Sequence, residues 1–180
     1  MLSKAHIRTI LTTFAKTPPP MDTNLKNVVL VDDDQDDREF FADAIASLDI
    51  PFTLHSYKNA LEVVSEIQSG SFNVPYIMFL DINMPGMSGF ELLEMIRNME
   101  QFRSVPVIAI YSTSSDNEDI NKSIKLGANG YITKPTSFQN LQSVIVDVTI
   151  DNIKNRAHNS KKANFDQKNF IILQNSYIEP

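Results

Sequence analysis

Five short apolar runs, each followed by a stretch of helical periodicity, leave this chain few ways to fold. Val28-Val-Leu-Val31 and Ile77-Met-Phe-Leu80 are unbroken, as strands buried on both faces require. Phe52 to Tyr57, Val107 to Tyr111 and Gly130 to Thr133 are the other three, two of them introduced by Pro51 and Pro106. Between the runs the period changes. Phe41, Ala44, Ile45 and Leu48 mark a helix over about Asp36 to Leu48, and Leu61, Val64 and Ile67 mark one from Asn59 to Ser69, closed by Gly70. Phe90 to Met99 repeats the pattern. Asp116 and Gly127 bracket a fourth helix carrying Ile120, Ile124 and Leu126. A fifth, from Ser137, carries Phe138, Leu141, Ile145 and Val148 and is expected to end between Ile150 and Lys154. Such alternation predicts an α/β fold, a parallel sheet wrapped by helices on both faces. Right-handed crossovers prune the topologies. The expectation is a flavodoxin-like (βα)5 doubly wound sheet in the order 2-1-3-4-5.

This reading assigns residues 25–153 to one domain and leaves 1–24 and 154–180 outside it. In the first stretch Lys4, Arg8 and Lys16 meet no acid before Asp22, a faint likeness to a transit peptide. Ile7, Ile10, Leu11 and Phe14 fall at helical spacing, and Pro18-Pro-Pro20 ends any helix there. A flexible extension ahead of Met21 is the plainer expectation. The last stretch is rich in Asn and Lys, with one apolar cluster, Phe170-Ile-Ile-Leu173. It is expected to be mostly disordered, with docking on the domain or on a second copy as the alternative. A net charge of -6 argues against DNA or RNA as a main partner. The absence of cysteine excludes disulfides, thiolate chemistry and Cys-based zinc sites, and His6, His55 and His158 are scattered. No apolar stretch approaches the roughly 18 residues that a membrane span needs, so membrane insertion is not expected.

In a parallel sheet every carboxyl end lies along one edge. The first run delivers Asp32 and Asp33 there, the third Asp81, the fourth Ser112 or Thr113, and the fifth Lys134. Asp36 and Asp37 suit the first turn of a helix and are assigned to capping and solvation. Three clustered carboxylates repel, by about 4 kcal/mol per pair at 4 Å and an effective dielectric of 20. Retained protons or a cation must offset this. An oxygen-only donor set favours a hard ion, and Mg²⁺, which uses one or two carboxylates and a phosphate, fits best. Lys134 opposite it can hold a second phosphate oxygen, and a hydroxyl a third. That is the electrostatic equipment of phosphoryl transfer, with one carboxylate left as nucleophile.

From about Asn27 to Ile150 the chain resembles the receiver domain of bacterial two-component response regulators. The pieces that carry the likeness are Val-Asp-Asp after the first strand, Leu-Asp-Ile-Asn-Met-Pro-Gly-Met-Ser-Gly after the third, Tyr-Ser-Thr-Ser after the fourth and Gly-Ala-Asn-Gly-Tyr-Ile-Thr-Lys-Pro at the fifth. It looks closest to stand-alone receivers with no output domain. The resemblance implies that Asp81 is the phosphoacceptor, Asp33 a metal ligand and Asp32 the acid that holds metal-bound water. Asn83 would complete the metal shell through its carbonyl, and Lys134 would bind phosphate. Pro135 matches a proline often cis in the family, and Tyr131 the aromatic switch position. Counting back from the fourth helix makes Ser112 the switch hydroxyl. Counting forward from Pro106 falls one residue short, so Thr113 stays as runner-up.

The resemblance implies a cytoplasmic signalling protein rather than a metabolic enzyme. Its partners would be a sensor histidine kinase or histidine phosphotransfer protein and a downstream protein target, with homodimerisation through the fourth and fifth helices as an option. Two other readings compete. An aspartyl-nucleophile phosphatase wants a second acid two residues on, where this chain has Asn83. A receiver-shaped binding module that ignores phosphate has no use for clustered like charges.

Overall fold

The computed structural model describes residues 26–102, 108–151 and 171–173. The amphipathic spacing around Ile7 to Phe14 and most of the last stretch lie outside them. Strand β1 (Lys26–Val31) is followed by α1 (Gln35–Ser47), β2 (Phe52–Tyr57) by α2 (Ala60–Ser69), and β3 (Ile77–Leu80) by α3 (Gly89–Asn98). Then come β4 (Ile108–Ser112), α4 (Asn117–Leu126), β5 (Gly130–Thr133) and α5 (Phe138–Val146), which runs on as a π-helical turn over Asp147–Asp151. All pairings in the sheet are parallel. The first five strands take the order 2-1-3-4-5.

Why helices cover both faces follows from the alternation of side chains along each strand. Val29, Val31, Met78 and Leu80 pack with Ala60 and Val63 of α2, Leu92, Leu93 and Ile96 of α3 and Ile120 of α4. Val28, Leu30, Ile77 and Phe79 face the other way, onto Phe41, Ala44 and Ile45 of α1 and Leu141, Val144 and Ile145 of α5. On that second face Phe41 meets Phe79 edge-on at 5.0 Å and Tyr111 at 5.5 Å between ring centroids. Each such side chain taken fully out of water contributes on the order of 2 kcal/mol.

The helix ends carry local signals. Asp34 caps α1, its carboxylate accepting from the N–H groups of Asp36 and Asp37 at 2.8 and 3.2 Å. Asp36 and Asp37 themselves therefore do not cap it. Ser88 and Glu91 form a reciprocal capping box at the start of α3. Gly127 closes α4 at φ 88, a left-handed position that a side chain disfavours. Arg97 of α3 reaches across to this turn, donating to the Gly127 carbonyl at 2.8 Å and the Asn129 side-chain oxygen at 2.6 Å.

One expectation about the strand ends is corrected. Strand β4 ends one residue later than its apolar run, because Ser112 is small enough to be wholly buried at the tip and pairs with Thr133. In the last stretch Ile171–Leu173 forms a sixth strand, β6, parallel to β5, with Gly130 opposite Ile171 and Ile132 opposite Leu173, which is docking on the domain at this cluster. Three β-branched or γ-branched apolar residues in a row suit a sheet edge better than solvent. Among the described residues no helix is long and apolar enough to cross a membrane.

Candidate functional site

The tips of β1, β3, β4 and β5 follow one another along the carboxyl edge of the sheet, and β1, β3 and β5 each lead directly into a charged residue. Asp32 follows β1 and is wholly buried. Its Oδ1 accepts from the Asp34 N–H at 3.1 Å, and its carbonyl accepts from Arg38 at 2.8 Å. Asp33 is exposed. Asp81 follows β3, and its N–H donates to the Val31 carbonyl at 2.9 Å, which ties the two acidic tips together. One carboxylate oxygen each from Asp32, Asp33 and Asp81 lies within 4.8 Å of the others.

Lys134 enters from β5. Its backbone N–H donates to the Ser112 carbonyl at 2.8 Å, fixing the β4 and β5 tips side by side. Its ammonium lies 2.7 Å from Asp32 Oδ2, 2.7 Å from Asp37 Oδ2 and 3.2 Å from Asp81 Oδ2. The Tyr111 ring stands 5.5 Å from the same nitrogen. Burial works against the Lys134 charge, but the Asp32 and Asp37 carboxylates and the charge on Asp81 outweigh it and hold the ammonium above its ordinary range. Burial likewise pushes the Asp32 carboxyl up to about 6, although Lys134 pulls it down.

The folded protein thus holds the Asp32 proton more tightly than the unfolded chain, where the value is 3.8. The stability this proton contributes is complete below about pH 4 and is lost as pH rises towards about 6. In chelator, urea midpoints of wild type should fall over that window relative to Asp32→Asn. An equal pH dependence in the two proteins would refute the assignment.

Metal fit can be tested on the donors themselves. All are oxygens, which suits a hard divalent cation. Asp32 Oδ2 is buried and has no hydrogen-bond donor; Lys134 meets it as a charge, without hydrogen-bonding geometry. A buried anionic oxygen of that kind, beside two further carboxylates, fits a cation ligand. Asn83 lies in the loop after β3, where its N–H faces Asp81 Oδ1 at 3.4 Å.

The remaining sequence candidates divide. Ser112 is wholly buried, and its hydroxyl accepts from the Ser114 N–H at 3.3 Å, whereas Thr113 is exposed. Tyr131 is wholly buried, and its hydroxyl donates to the Ser114 carbonyl at 3.1 Å. Among the described residues no peptide bond is cis, so Pro135 follows a trans bond. Sequence reasoning missed Asp37, which it placed in helix capping. The helix period hid its reach to a lysine 97 residues away.

Comparison with known proteins follows the same lines. The family model for the response regulator receiver domain matches residues 28–146. The probable methanogenesis regulatory protein FilR2 of Methanothrix harundinacea is 28% identical over 95 residues, 53% of this chain and 61% of that protein. Chemotaxis protein CheY-3 of Vibrio cholerae is 30% identical over 115 residues, 64% of this chain and 84% of CheY-3. The chain spans between 7% and 61% of the lengths of the first curated relatives it matches. The crystal structure of the phosphorylated cyanobacterial phytochrome response regulator RcpA superposes with a TM-score of 0.62 at 25% identity, over 68% of this chain and 92% of that one. A family match over residues 28–146, on a parallel sheet in the order 2-1-3-4-5 with charged residues at its strand tips, makes this protein a member of the response regulator receiver domain family.

Proposed function

We propose that this receiver takes a phosphoryl group on Asp81 from the phosphohistidine of a sensor histidine kinase or a histidine phosphotransfer protein. The observation that carries the reading is the Lys134 ammonium 3.2 Å from the Asp81 carboxylate, at the mouth of a three-acid cluster. An Asp81 oxygen attacks phosphorus as the N–P bond to imidazole breaks. Lys134 sits where it can pair with an oxygen of the arriving group. Asp32, Asp33, Asp81 and the Asn83 carbonyl are the groups that would hold Mg²⁺. Bound there, the ion would neutralise charge on the transferred group and on the carboxylates. Water later hydrolyses the acyl phosphate, so the protein resets itself and is a switch rather than a turnover enzyme.

The proposed readout is a change in the surface of α4, β5 and α5 that a downstream protein recognises, or through which two copies pair. Ser112 is favoured over Thr113 as the switch hydroxyl because it is buried at the β4 tip. The Tyr131 ring is already inside, so the motion we infer is an exchange of partners within the 112–114 turn rather than entry of an exposed ring. The working unit is residues 25–153, acting in the cytoplasm without contacting DNA.

Asp81→Asn should abolish Mg²⁺-dependent labelling by acetyl phosphate or by a phosphorylated kinase while leaving the urea midpoint close to wild type. Labelling that persists in the variant would move the acceptor elsewhere.

A further inference from the structure

Lys134 has three protons to donate and three carboxylates around it. An ammonium offers three N–H groups and no more. Here carboxylate oxygens of Asp32 and Asp37 lie 2.7 Å away and one of Asp81 lies 3.2 Å away, and those of Asp37 and Asp81 accept its hydrogen bonds. With three carboxylate oxygens this close, a phosphoryl oxygen that pairs with the same nitrogen competes with them for it.

The three are not equivalent. Asp32 and Asp81 belong to the group whose oxygens converge within 4.8 Å, and a divalent cation there would neutralise them. Asp37 stands outside that group, in the first turn of α1. Its carboxylate has no capping duty, since Asp34 accepts the first-turn N–H groups. It accepts from Lys134 at 2.7 Å, the shorter of the two hydrogen bonds made by that ammonium. It is also partly open to water, with a side-chain exposure of 40% against 8% for Lys134.

From this we infer that Asp37 is a positioning residue that holds Lys134 back from the acceptor and competes with the phosphoryl group for it. The inference rests on the reading of Asp81 as phosphoacceptor. Asp37 keeps its charge when the other two acids are neutralised, so it is the competitor that persists during transfer. It lowers affinity for a phosphoryl group and keeps the unphosphorylated state from being drawn over by stray anions.

The test is calorimetric titration of Mg²⁺ with beryllofluoride, a non-transferable mimic of the phosphoryl group, into wild type, Asp37→Asn and Asp37→Glu. A half-exposed ion pair limits the effect to about fivefold. Asp37→Asn should bind about fivefold tighter than wild type, and Asp37→Glu, which restores the charge, should fall back to within about twofold of it. A purely structural role at the helix start would weaken binding in both variants or leave it alone. Wild-type binding with Asp37→Asn equal or weaker overturns the inference alone. No binding by wild type overturns the phosphoacceptor reading and the inference with it.

Discussion

Lys134→Met should be the most destabilising single change at the strand tips, by about 3 kcal/mol at pH 7 without metal. The ammonium has only 8% of its side chain exposed, and Asp32 beneath it has none. Removing one partner of a buried pair leaves the other charge without compensation, which is worse than never having had the pair. Two further features make the loss diagnostic. It should shrink as pH falls towards 4, because Asp32, already pushed up to about 6, can then take a proton instead of a partner. It should also shrink in millimolar Mg²⁺, and by more than wild type gains, because a divalent cation supplies the missing positive charge. Urea midpoints at the two pH values, with and without Mg²⁺, measure all three effects. An unchanged midpoint at pH 7 would mean that water already screens the cluster.

Gly89→Ala should be nearly as damaging although it touches no charge. A Cβ at this first residue of α3 would stand 2.0 Å from the Asp81 carbonyl oxygen and 2.8 Å from its carbon. Both are backbone atoms, so no side chain can swing aside. Either α3 or the acceptor strand must move, at about 2–3 kcal/mol for overpacking of this kind. The Gly89 N–H donates to the Ile82 carbonyl at 3.2 Å, so the same movement strains the loop that carries Asp81. Labelling by acetyl phosphate should slow on the order of tenfold or more, since small displacements of a reacting group are expensive. A variant with wild-type midpoint and wild-type labelling would show that the two segments part freely.

What could be read in advance was local. Val28 to Val31 and Ile77 to Leu80 are apolar at every position because both faces of the sheet are covered, and that pattern needs no tertiary knowledge. The acids and the lysine at the run ends follow from direction alone, since parallel strands deliver their last residues to one edge. What escaped was nonlocal or compensated. The end of β4 was obscured because Tyr111 continues the apolar run while Ser112, though polar, is equally buried. Asp37 obeyed a helix rule well enough to conceal its bond to Lys134. Arg97 carries no sequence signal of its own, yet it is a half-buried brace for the Gly127–Asn129 turn, with burial lowering its guanidinium to about 10.

The sixth strand has a consequence for how this molecule meets others. A bare sheet margin is a template on which any extended peptide can anneal, and proteins commonly defend such margins with charge, proline or a bulge. Here the defence is a length of the protein's own backbone, Ile171 to Leu173, laid in register against Gly130 to Ile132. That segment is itself an edge, but only three residues long, so an extended peptide either pairs with it over a short stretch or evicts it to reach β5.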